Sequence, residues 1–168
     1  MQTTIGGGFS YDVMTRSKAD GKVLGNIVGQ RNKMPMEGLN DLANAYLKGG
    51  AGPANLYIGL WSGSLIPDGM ETAATLLSSV TEFVAYTQPA RLTLTLGPVT
   101  DGACSNSASL ARFDINAAGV VNGAFVSTAP AKGATSGKLL SVVRFDNPRA
   151  VDATVYLEIL SGFQFLSF

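Results

Sequence analysis

Histidine is absent from the 168 residues of this chain, and there is a single cysteine, Cys104. The first absence removes Ser-His-Asp and Cys-His nucleophilic catalysis, histidine-ligated zinc and histidine pH switching. The second removes an internal disulfide and favours a reducing compartment. With no histidine to act as its base, Cys104 reads as a small buried or turn residue. Charge is scarce too. Asp, Glu, Lys and Arg make up 14% of the chain, and twelve basic residues cancel twelve acidic ones, where about a quarter of an ordinary globular domain is charged. Such a surface is a poor electrostatic trap for nucleic acid or anionic lipid. It also does little to keep copies apart, which suits a subunit covered by neighbours. No basic start leads into a long apolar run, and no apolar stretch approaches a membrane span, so neither a secretory signal nor a membrane partner is expected.

What the chain has is glycine, 20 residues, and a 46% share of hydrophobic residues. Both suit one domain with a sizeable core and many tight turns. The organising stretch is a helix followed by a strand. In MPMEGLNDLANAYLKGG, Leu39, Leu42, Ala43, Tyr46 and Leu47 recur at spacings of three and four and share one face. Pro35 and Glu37 suit the start, and Gly49-Gly50 the stop. A helix this short must dock on something, and the nearest partner is the strand NLYIGLW at 55–61.

Residues 1–33 differ from the rest. Gly6-Gly7-Gly8 is flexible, and Asp20-Gly21 is a turn signal that can join strands at 11–16 and 22–28 as a ribbon. The alternative is an extended arm ordered by a neighbouring subunit. Arg16, Lys18, Lys22, Arg31 and Lys33 make this segment mildly positive. Residues 71–80 read as a short helix or helical turn, which Thr72, Thr75, Ser78 and Ser79 make marginal, or as a surface loop packed by Leu76, Leu77 and Val80, the preferred reading. From residue 89 onward strands dominate. Leu92, Leu94 and Leu96 alternate with Arg91, Thr93 and Thr95; Ala111, Phe113 and Ile115 share a face; Val155, Leu157 and Ile159 do the same. KLLSVVRF is apolar on both faces and is expected to be covered on both sides. Asn122-Gly123 reads as a hairpin turn or bulge, and Asp146-Asn147-Pro148-Arg149 as a turn. After Gly162 comes an aromatic strip, Phe163, Phe165 and Phe168, either a last strand or a tail docked on another subunit. The expected fold is mainly β: an antiparallel β-sandwich or small barrel of about seven or eight strands, with one helix on its N-terminal side and an extended N-terminal arm. The expected division is 1–33 for the arm or ribbon and 34–168 for the helix and β domain.

No chemistry-bearing motif stands out. There is no GxGxxG after a strand and no CxxC pair. Acidic turn residues at 101, 114 and 146 lack the regular oxygen spacing of a calcium loop. Glu71, Glu82, Asp114 and Glu158 are the carboxylates open to hydrolytic work, but Glu158 reads better as a cross-strand partner of Arg144, and Glu82 of Arg91. Tyr57, Trp61 and Tyr86 can be drawn as a sugar-stacking platform; Tyr57 and Trp61 read better as core or interface side chains on one strand face. No catalytic residue, cofactor or metal ligand is expected. The interface candidates are Phe9, Tyr11, Arg16 and Leu24 in the first segment, then Trp61, then Phe163, Phe165 and Phe168.

The landmarks MPMEGLNDLANAYLKGG, NLYIGLW, TEFVAYTQPARLTLTLG and KLLSVVRFDNPRAV come in an order that resembles a group of small structural proteins encoded by tailed bacteriophages, described as virion, tail or fibre-associated. The resemblance spans about residues 36–160. Glu37, Leu39 and Leu42 match the helix start; Tyr57, Gly59 and Leu60 the following strand; Glu82, Tyr86 and Arg91 the loop-and-strand element. In that group these positions look like fold-building residues. The resemblance implies a non-enzymatic homo-oligomer that contacts other virion proteins (portal, connector, tail or capsid). Its place would be a virion assembled in the host bacterial cytoplasm, at the neck or tail. The alternative is a carbohydrate- or receptor-binding module of a fibre.

Overall fold

Period-two apolar patterns bury one face of a strand, and two such faces can bury each other. The computed structural model describes residues 6–166. In it the chain runs β1 (Gly6–Ser17), β2 (Val23–Arg31), α1 (Met36–Leu47), β3 (Tyr57–Ser62), α2 (Leu76–Ser79), β4 (Thr81–Phe83), β5 (Leu92–Thr93), β6 (Ala103–Ser105), β7 (Ala111–Asp114), β8 (Gly119–Ser127), β9 (Leu139–Val151) and β10 (Val155–Leu166). The fold is mainly β, with two five-stranded antiparallel sheets and one longer helix. The first sheet has the order β2-β1-β10, with β6 and β7 both on the far side of β10. The second has the order β9-β8-β3, with β4 and β5 both on the far side of β3. The barrel alternative is corrected, because among the described residues no ladder joins the two sheets.

The main core lies between the sheets. Tyr11, Val13, Phe113, Leu157 and Ile159 meet Ile58, Leu60, Val121, Ala124, Val143 and Phe145 there. Each such side chain contributes about 1.5–3 kcal/mol, so this layer outweighs the surface ion pairs, worth about 0–1 kcal/mol each. The alternating triplets 111/113/115 and 155/157/159 both face it. A second core forms on the other face of the second sheet, where Trp61, Phe125, Leu139 and Val142 are covered by Ala73, Leu76 and Val80. Two glycines make room for its aromatic rings. Gly59 pairs across the sheet with Phe125, and Gly123 with Trp61, and in each case the ring occupies the space a Cβ would need. Of the two readings of 71–80 the helical turn is the one seen and the preferred surface loop is corrected: the segment carries the one-turn α2, with Leu76 and Val80 beneath it.

Several expectations are corrected by this topology. Of the two readings of the first segment, residues 6–31 take the ribbon. The Asp20-Gly21 turn joins β1 to β2, and β1 pairs with β10 along its whole length, from Gly6↔Leu166 to Ser17↔Val155. Residues 146–149 are not a turn between strands, because β9 continues through them. Gly123 pairs with Arg144 and Val121 with Arg149, so residues 145–148 bulge opposite Asn122, a position that tolerates Pro148. Gly162 does not end a strand either; it lies within β10. β9 is covered on both faces, as its apolar pattern implies, and its outer edge is closed as well. The Lys33 amide donates to the Val142 carbonyl at 2.9 Å, and the Val142 amide to the Lys33 carbonyl at 3.0 Å.

Candidate interaction surfaces

Helix α1 sits on β9 in an unusual way. Its buried residue is Gly38. A Cβ there would stand 2.7 Å from the Leu139 carbonyl oxygen and 2.7 Å from the Leu140 Cα, so the helix rests almost backbone on backbone. Next to it, the Glu37 carboxylate accepts hydrogen bonds from the Ala73 and Leu139 amides, each at 2.8 Å. Polar pins and close approach thus hold the helix. Its apolar stripe points the other way. Met36 is 50% exposed, Leu39 41%, Tyr46 89% and Leu47 74%, and Ala43 between them is exposed. Leu42 alone of the expected face is half-buried. The expectation that this stripe docks on the chain's own strand is corrected. Helical period identifies a stripe, but Gly38 decides which side goes down. Met70, 72% exposed, lies next to the stripe, because the Met36 amide donates to the Gly69 carbonyl at 2.9 Å.

Beside this layer a buried ion pair fastens the loop 129–137. Arg91 Nε and Nη2 donate to Glu82 Oε1 and Oε2, both at 2.8 Å. Its other donors reach Ser127 Oγ and the Ala129 carbonyl at 3.1 Å and the Ala134 carbonyl at 3.0 Å. The guanidinium also stacks over the Phe125 ring, 4.8 Å from its centroid. Lys132 lies 3.7 Å from the centroid of the Tyr86 ring and donates to the Val84 and Tyr86 carbonyls. Desolvation holds the Lys132 ammonium below its ordinary pKa. Burial, and then the nearby Glu82 charge, push the Tyr86 phenol up.

The sequence-nominated residues separate into two groups. Phe9, Tyr11 and Trp61 are 5%, 0% and 0% exposed. They belong to the cores, and their nomination as interface residues is corrected. Tyr11 bonds to Ser141 Oγ at 2.6 Å across the two sheets, and burial raises its pKa. Trp61 Nε1 donates to the Val143 carbonyl at 3.1 Å. Leu24 and Phe165 are 58% and 56% exposed. Arg16 and Phe163 are half-buried. Phe163 stacks edge-on between Phe9 and Phe165, at 5.1 and 4.7 Å. Phe168 lies outside the described residues. The rings proposed for sugar stacking do not form an open platform, since Tyr86 is 2% exposed and Trp61 is fully buried. Sequence reasoning missed Met36, the outward direction of Tyr46 and Leu47, and Met70. Gly38 within a helical pattern was the one available signal.

The four carboxylates each have a local partner. Glu71 accepts from the Asp68 and Gly69 amides, both at 2.9 Å. Glu82 holds Arg91, and Asp114 holds Arg112 at 2.8 Å. Glu158 pairs with Arg16 at 2.6 Å, not with Arg144, because β1 neighbours β10 while β9 lies in the other sheet. A shallow groove of about 460 Å³ between β6 and β10 is lined by small side chains, among them Ser10, Cys104 and Ser105. Among the described residues no helix is long and apolar enough to cross a membrane. Compared with known proteins, the chain matches no family model and no curated protein.

Proposed function

We propose that this chain is a non-enzymatic structural subunit of a tailed-bacteriophage particle, placed at the neck or tail, whose two-sheet sandwich works through contact with neighbouring subunits. The observation that carries the reading is the uncovered apolar face of α1 with Met70, on a chain with few charges to keep neighbours away. The order of landmarks over residues 36–160 supports the phage assignment by resemblance. The contact surface is the helix layer rather than an N-terminal arm. A carbohydrate- or receptor-binding module of a fibre has less support, since two of the three rings nominated for sugar contact, Trp61 and Tyr86, are buried.

The test is the composition of purified particles. Mass spectrometry and immunogold labelling should find the chain in fixed stoichiometry at the neck or tail of particles from a producing culture. Finding it only in the soluble fraction, with no particle labelled, sinks the proposal. Glycan-array binding by the full chain would move it to the fibre reading.

A further inference from the structure

Resting on the assembly reading, we infer that the exposed stripe of α1 is a two-fold self-docking face, and that its occupant is the same helix of a second copy of this chain. The stripe Met36, Leu39, Ala43, Tyr46, Leu47 carries no formal charge, and the helix's two acids, Glu37 and Asp41, lie on the half-buried side. Two copies of this surface therefore meet without like-charge repulsion. Its residue sizes are also symmetric, with large side chains at both ends and Ala43 near the middle. An antiparallel pairing centred between residues 42 and 43 sets Leu39 against Tyr46 of the second copy and Ala43 next to its own image. The small central residue permits the close approach of about 8–10 Å between helix axes that packed helices need, and each contact occurs twice, as an isologous interface requires.

The area is of the right order. With the exposures of Met36, Leu39, Tyr46, Leu47 and Met70 and ordinary whole-residue areas, backbone and the Tyr46 hydroxyl included, these five present on the order of 700 Å², against roughly 800 Å² per partner for a stable interface. A patch of this size stands at the upper end of what a free monomer leaves uncovered, and such patches are often functional. Other faces fit less well. The outer face of the first sheet carries the ion pairs Arg16–Glu158 and Arg112–Asp114. The exposed edge of β2 is bulged opposite Asp12, where Gly29 has φ 66°, a device that discourages strand addition.

The experiment is a concentration series of sedimentation and native mass measurements on the full chain. Three variants accompany it. Tyr46→Lys/Leu47→Glu charges the stripe at two exposed positions, and Leu24→Glu serves as a control on β2. Ala43→Cys in a Cys104→Ser background is exposed to a mild oxidant. The inference expects a wild-type dimer, and a folded chain with a cooperative melting transition for every variant, lowered for the charged stripe only by the stabilisation that the dimer supplies. The charged stripe should weaken dimerisation more than about tenfold, Leu24→Glu should leave it unchanged, and residue 43 should crosslink across the two-fold. An oligomer indifferent to the stripe variants overturns the self-docking face and leaves assembly standing through another surface. A monomer at every concentration overturns it as well; the assembly reading then stands only if the chain is still found in particles.

Discussion

At the scale of single residues, Arg91 is the most consequential side chain. A guanidinium has five N–H donors, and here all five have acceptors: two on Glu82, then Ser127, Ala129 and Ala134. The Arg91 and Glu82 side chains are 2% and 4% exposed, so neither can turn to water if the other is lost. Arg91→Met should cost about 3–5 kcal/mol, because it strands a buried carboxylate. Urea denaturation measures this, and a loss below about 1 kcal/mol would show the pair to be dispensable. Replacing both members with apolar residues should recover part of the loss. The two buried phenols set a pH dependence. Tyr11 and Tyr86 both have raised pKa values, burial being the larger cause in each. A raised folded-state pKa contributes stability that is complete below the ordinary phenol value of about 10 and is lost as pH rises above it. The urea midpoint should therefore fall beyond pH 10, and the fall should be smaller in Tyr86→Phe. Below pH 10 that variant should be neutral or stabilised by about 1 kcal/mol, because the Tyr86 hydroxyl is buried with no partner. A large loss below pH 10 would mean that the hydroxyl has a bonding role.

At the scale of elements, Gly38 decides how the third layer is attached. Glycine inside a helix normally costs about 1 kcal/mol relative to alanine, so Gly38→Ala would ordinarily stabilise. Here the added methyl would stand 2.7 Å from the backbone of β9, and backbone does not move aside as a flexible side chain does. The variant should instead lose about 1–3 kcal/mol, as overpacked sites do, with faster hydrogen exchange over α1. A stabilised variant would show that the helix is held from elsewhere. The same position marks the limit of what the sequence made legible. Alternation at 111/113/115 and 155/157/159 located core faces, since period two leaves only two choices and the apolar one goes inward. The Glu82–Arg91 pairing was legible from charge, though not its burial, which depends on loop 129–137 closing over it. The helix stripe was legible as a stripe, but its direction was not, because the close approach at Gly38 and the Glu37 hydrogen bonds outweighed the apolar side chains. The strand through Pro148 was hidden because a bulge and a turn share the same residues.

At the scale of the whole molecule, the two ends of the described chain lie side by side in the first sheet. Gly6 pairs with Leu166 and Ser17 with Val155, and β1 is bonded to β2 on one side and β10 on the other. The β1–β2 hairpin is local and was announced by Asp20-Gly21, but the β1–β10 ladder is not, so nothing near residues 6–17 in the sequence announces that second partner, which is why an arm stayed open beside the ribbon. The chain must close nearly its full length before β1 gains its larger ladder, and folds of this kind form in roughly milliseconds to seconds. A circular permutant isolates that cost. Joining the end to the beginning through residues 167–168 and 1–5 turns β10–β1 into a hairpin. New ends can open at Gly52, in an exposed stretch between α1 and β3 that is outside both sheets. Every packed contact is retained, so equilibrium stability should change by no more than about 1–2 kcal/mol, while the folding rate should rise at least about tenfold. Stopped-flow refolding separates the two quantities. An unchanged rate would mean that the transition state forms elsewhere, most plainly around β3, β8 and β9, with β1 added late. In that case deleting residues 1–31 should leave a collapsed second sheet. If β1 belongs to the nucleus, the same deletion should leave no cooperative unfolding transition at all.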